Sequence, residues 1–144
     1  MMTADTLAAK KDLEEKGCTC VLRKGAESCF SFERGVKPLL EWIDEGRDYS
    51  GFAAADQVVG KAAALLYARL GIKDLYARII SDPAAGALEE NGISFECEER
   101  VPCIINRTKD GLCPMEQAVL EVSDPEEAET VLRNKVAQMR SGRK

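Results

Sequence analysis

The stretch from Asp56 to Gly71, DQVVGKAAALLYARLG, is apolar almost all the way round a helix: Val58, Val59, Ala62, Ala63, Leu65, Leu66 and Leu70 leave it no polar face. Such a helix cannot lie on a surface and has to sit between other layers of structure. Its alanines permit close packing. KDLYARIIS follows at once and reads as a central strand ending at Ser81. Pro83 to Asn91 reads as the next helix, with Gly92 as its stop, and ISFECEE as the next strand. Buried helices alternating with strands call for a sheet covered on both faces.

The flanks fit that scheme. Thr3 to Lys16 reads as a helix closed by Gly17. CTCVLRK and AESCFSFE, around Lys24-Gly25, form a hairpin. With Lys24 and Gly25 as turn residues, Cys20 opposes Cys29, either as two packed thiols or as a redox-sensitive pair. VKPLLEWIDEG is a short helix with Pro38 in its first turn and Trp42 beside Leu39, Leu40 and Ile43. RDYSGFAA reads as a loop, after which Asp56 caps the apolar helix. VPCIIN is expected to be a further strand and RTKDG a turn. CPMEQAVLEV starts a helix at Pro114, and Asp124 caps a final one, PEEAETVLRNKVAQMR. The expectation is a single domain over residues 1–144, a three-layer α/β/α sandwich with a mixed central sheet.

Composition excludes several functions. A formal net charge of −5 and no basic face argue against nucleic-acid binding, which draws its affinity from phosphate contacts. Lys61 and Arg69 interrupt the most apolar run, so no membrane span is expected. The start, MMTADTLAAKKDLEEKG, lacks the pattern of a secretory signal, which makes the cytoplasm the expected location. Six cysteines occur without a C-x-x-C pair, and in a reducing compartment they serve as small buried hydrophobes. There is no histidine at all. That removes Ser-His-Asp and Cys-His catalysis and every His-containing metal site, so neither metal nor cofactor is expected.

The order of elements, with SDPAAGALEENGI at Ser81 to Ile93, resembles the cytidine deaminase fold. That family has a hairpin, a helix opening with His-Ala-Glu, a strand, and a helix opening with Pro-Cys-x-x-Cys. Its zinc is held by the His and the two Cys. Matched in frame, Pro83 is retained while Ala84 and Ala87 stand in the thiolate positions. The first motif falls near GKAAALL, which has neither His nor Glu. The whole chain is also similar to an uncharacterised family of bacterial and archaeal deaminase-like domains. That likeness is carried by D-x-V-V-G-K-A-A-A (Asp56 to Ala64), the S-x-x-A helix start at Ser81, V-P-x-I-x-N-R (Val101 to Arg107) and C-P-M-E (Cys113 to Glu116). It implies a deaminase-like sandwich without zinc, and no established activity.

Some residues can still do chemistry. Lys61 near a helix start, with Gly60 allowing close backbone approach, suits an anion such as phosphate or carboxylate. The spaced glycines and the Ser or Thr of a Walker motif are missing. Asp56 and Ser81 stand beside the two helix starts, and Asn106 and Arg107 at a strand end. These six residues are the candidate ligand site, for a small anionic or nucleotide-like ligand held without catalysis. A second reading makes Cys113 a nucleophile at a helix start, with Lys61, Asp56, Glu116 or a water as its proton partner. Glu116 competes for a third role, capping the backbone of its own helix. The last reading is a structural or partner-binding homo-oligomer, in its simplest form a homodimer.

Overall fold

The computed structural model describes residues 2–33, 35–105 and 113–141. Its elements are α1 (Ala4–Lys16), β1 (Cys20–Lys24), β2 (Glu27–Ser31), α2 (Lys37–Asp44), β3 (Ala53–Val59), α3 (Lys61–Leu70), β4 (Asp74–Ser81), α4 (Asp82–Glu90), β5 (Ser94–Val101), α5 (Pro114–Ala118) and α6 (Pro125–Ser141). The five strands form one sheet in the order β2-β1-β3-β4-β5. β1 runs antiparallel to β2 and β3, while β3, β4 and β5 are parallel. The sheet is therefore mixed, as expected.

Helices cover both faces, giving three layers. On one face Ala9 and Leu13 of α1 pack with Val21, Ala55 and Tyr76. On the other, Leu39, Leu65, Leu66 and Leu88 of α2, α3 and α4 meet Leu22, Leu75 and Ile80 of the sheet, and Leu132 of α6 closes the cluster. Residues 62 to 67 of α3 are buried without a break. The sheet lies beneath that helix, and α6 packs against it as well, which is why its sequence shows no polar side. No helix among the described residues is long and apolar enough to cross a membrane.

The termini of α1 behave as the sequence suggests. The Thr3 hydroxyl accepts the Thr6 amide at 3.1 Å, and Gly17 closes the helix in the left-handed region at φ 65°. Asp74, buried at the start of β4, accepts from the Thr6 hydroxyl at 2.5 Å and from the Thr3 amide at 3.2 Å. The first helix is thereby tied to the central strand.

Four expectations need correction. AAADQVV is a strand, β3, rather than loop and helix, and α3 begins only at Lys61. Alanine and aspartate are depleted in strands, so local propensity hides it. Tertiary packing decides instead: Ala53, Ala54 and Ala55 are fully buried between two helical layers, where little more than a methyl group fits. The hairpin turns at residues 25 and 26, one position later than the sequence suggests, with Gly25 at φ 58°. Cys20 therefore faces Ser31, and Cys29 faces Leu22; both thiols are free. VPCIIN supplies only Val101, the last residue of β5, and residues 102–104 form no strand. The helix at Pro114 stops at Ala118, because Val119 and Val122 turn into the core.

Candidate functional site

In α/β sheets, ligand sites form where strands end and helices begin. Here a cavity of about 510 Å³ opens at the carboxyl end of β3. Its walls come from the start of α2 (Gly35, Val36), the start of α3 (Gly60, Ala62, Ala63), the segment at Ile104 and Ile105, and α5 with Cys113, Met115 and Glu116. Thr19, Cys20, Glu33, Asp56, Gln57 and Val58 complete it. The volume suits a small organic molecule, and the walls are mostly apolar.

Asp56 carries the sharpest chemistry. It sits within β3 opposite Cys20 of β1. Oδ2 accepts the Tyr67 hydroxyl at 2.7 Å and Oδ1 accepts the Val58 amide at 3.3 Å. Burial outweighs these bonds and pushes the carboxyl up to about 7. Burial first and the Asp56 charge second push the Cys20 thiol up as well, and the Tyr67 phenol rises well above its ordinary value. Both stay protonated through the neutral range, leaving Asp56 as the group of the three that titrates there.

The start of α3 is occupied from within the chain. Glu116 reaches across from α5, accepting the Lys61 amide at 2.8 Å and the Ala62 amide at 3.0 Å. It caps a foreign helix instead of its own, and the Cys113 amide goes to the Ile104 carbonyl at 3.1 Å. Burial raises the Glu116 carboxyl, against the pull of those amides and of the Lys61 charge. Gly60 makes the approach possible: a methyl there would lie 2.5–2.7 Å from the carboxylate atoms. The Lys61 ammonium points away, to the Leu120 carbonyl at 3.1 Å. At the α3 start, where the sequence suggests a ligand anion, the Lys61 and Ala62 amides hold the Glu116 carboxylate.

Of the residues singled out from the sequence, Asp56, Gly60, Cys113 and Glu116 meet in one cavity. Lys61 does not line it; its amide donates to Glu116, which does. Ser81 does not belong: fully buried, it caps α4 by accepting the Ala84 amide at 3.1 Å. Ser81→Ala is expected to cost about 1 kcal/mol in urea unfolding, the ordinary worth of a cap, and to leave the cavity intact. Asn106 and Arg107 lie outside the described residues. SDPAAGAL opens α4, one unit further along the sheet; Pro83, Gly86 and Ala87 line a second, smaller recess with Lys61.

Tyr67 and Cys20 were missed as site residues. Tyr67 had a signal, because a phenol on an otherwise apolar helix needs a buried polar partner. Cys20 had none, since its place opposite Asp56 depends on a strand the sequence conceals. Zinc does not suit these residues. The chain has no imidazole, and no three Cys, Asp or Glu side chains converge as a ligand set among the described residues. The Cys20 sulfur is held as thiol, whereas zinc takes thiolate.

A family model described as a domain of unknown function (DUF1893; TM1506) matches residues 8–136. The chain belongs to the DUF1893 family. The match spans every residue of the cavity. A DUF1893 family protein (TM1506) from Thermotoga maritima, known from a crystal structure at 2.70 Å resolution, is 30% identical. The two superimpose with a TM-score of 0.81 over 96% of this chain and 92% of that one. No curated protein matches. The family's description assigns no function, so function has to be argued from the cavity.

Proposed function

We propose that this DUF1893 domain binds a small molecule without transforming it, in a cavity that corresponds to the active site of a cytidine deaminase-like fold lacking zinc. The observation that carries this reading is the cavity itself, about 510 Å³ with a buried carboxyl in its wall. The deaminase resemblance asks for a hairpin, a helix, a strand and a second helix. β1–β2, α2, β3 and α3 follow that order, and the cavity lies where α2 and α3 open. On this alignment the two motif helices are α2 and α3 rather than α3 and α4. Val36-Lys37-Pro38 and Gly60-Lys61-Ala62 stand at their starts, with neither His nor Cys among them.

Catalysis by Cys113 keeps one supporting observation, its place in the cavity wall. Its nearest proposed partner, Glu116, is spent on the α3 amides. Binding without chemistry needs no such partner.

The test is a fragment screen by amide-detected NMR on the full chain. Hits should perturb residues of the cavity, and Ala63→Phe, which fills it, should abolish those perturbations while Cys113→Ser leaves them unchanged. Hits that survive Ala63→Phe, or that map elsewhere on the surface, would contradict the reading.

A further inference from the structure

The charges around the cavity do not suit the anion that the sequence suggests. Three carboxylates line it, Glu33, Asp56 and Glu116, and no Lys or Arg side chain does so among the described residues. Two of the three are already answered. Glu116 lies on the amides at the positive end of α3. Glu33 pairs with the Lys37 ammonium at 3.1 Å.

Asp56 differs. It is 8% exposed, and the partners of its carboxyl are the Tyr67 hydroxyl and backbone amides, all uncharged. From β1, Cys20 faces it as a thiol; from α3, Tyr67 faces it as a phenol; Cys18 beside β1 also feels its charge. A carboxylate offers about four acceptor positions, and these bonds leave acceptor capacity unspent. A buried charge without a counter-charge is costly, and the fold meets that cost by binding a proton. A ligand cation could meet it instead.

We propose that the cavity takes an organic cation, an amine or amidinium with an apolar body, whose N–H groups hydrogen-bond to the Asp56 carboxylate. The inference rests on the binding reading above and gives its ligand class. The apolar body would lie against Val36, Ala62, Ala63, Ile104 and Met115. The N⁺–H···O⁻ bonds are of the stronger, charge-assisted kind. An anion in the same place would face Asp56, and among the described residues no Lys or Arg side chain lines the cavity to answer it.

Three probes of one shape decide the matter: benzamidine, benzamide and benzoate, titrated into the full chain and followed by amide-detected NMR. At about pH 8, benzamidine should bind in the cavity roughly ten- to a hundredfold more tightly than benzamide, the worth of a charged hydrogen bond, and benzoate most weakly. Asp56→Asn should erase that preference and keep the binding of benzamide. Should that variant misfold, the pH series on the unaltered chain decides alone. Lowering the pH to about 5.5 protonates Asp56 but leaves benzamidine charged, so its advantage should fall by roughly tenfold or more. Benzamide or benzoate binding in the cavity as tightly as benzamidine would overturn the ligand class while sparing the binding reading. If none of the three perturbs the cavity of the folded chain, both fail.

Discussion

Asp56→Asn is expected to stabilise the protein at pH 8, by about 3–4 kcal/mol more than it does at pH 4. The direction follows from the carboxyl's position. A group whose folded value, about 7, lies above its ordinary 3.8 takes up a proton on folding. Its favourable contribution is complete below about pH 4, declines as pH rises to about 7, and then stays lost. Over that window the rise is worth about 3–4 kcal/mol. Asparagine is close in shape to the protonated acid and carries no charge to desolvate. It can still accept the Val58 amide and bond the Tyr67 oxygen. Urea unfolding of both proteins at the two pH values checks this. The difference between them cancels other titrating groups, including Glu116, whose raised carboxyl acts in the same direction, and exposed Asp48, whose lowered one acts oppositely. A difference that does not change with pH would mean that Asp56 is solvated in the native state, and the electrostatic case for a cationic ligand would go with it.

The parts of the fold that could be read in the sequence are those where local signal and tertiary demand agree. α3 announces itself as a layer between layers, because nothing along Ala62 to Tyr67 can face water. β4, with Leu75, Tyr76, Ile79 and Ile80, has strand formers, and its end at Ser81 coincides with a cap. β3 is the opposite case. Its three alanines and its aspartate all disfavour a strand, and what forces them into one is the space available between α1 and α3, a quantity no local window contains. That one hidden strand also conceals where the cavity opens. With Ala53 and Ala54 read as loop and Asp56 as the cap of a helix that runs on through Gln57, no strand end is visible at Val59, where the cavity opens. Cys113 and Glu116 stand out in the sequence only as residues at a helix start. That Glu116 serves a helix fifty-five positions away in the chain is a matter of how α5 docks, and spacing alone cannot report it.

Gly60→Ala is expected to destabilise the protein by about 2–4 kcal/mol, although the backbone there tolerates any residue. Gly60 is extended, with φ −97° and ψ 180°, so alanine brings no strain of its own. In a neutral setting the substitution would even help slightly, by restricting the unfolded chain. The cost arises because the new methyl occupies the place of the Glu116 carboxylate. Displacing that group leaves the Lys61 and Ala62 amides without their acceptor and the start of α3 without its anion. Glu116→Ala should cost a similar amount for the same reason. The double variant then distinguishes this account from simple crowding. Once Glu116 is gone, nothing remains for the methyl to displace, so Gly60→Ala should cost nothing further in the Glu116→Ala background. A cycle of four urea unfolding curves gives the coupling directly. Additive losses would show that Gly60 acts through some other contact. A coupling as large as the single losses would fix Glu116 as the built-in anion of α3, and would leave the Asp56 carboxyl as the buried charge in this cavity still without an ionic partner.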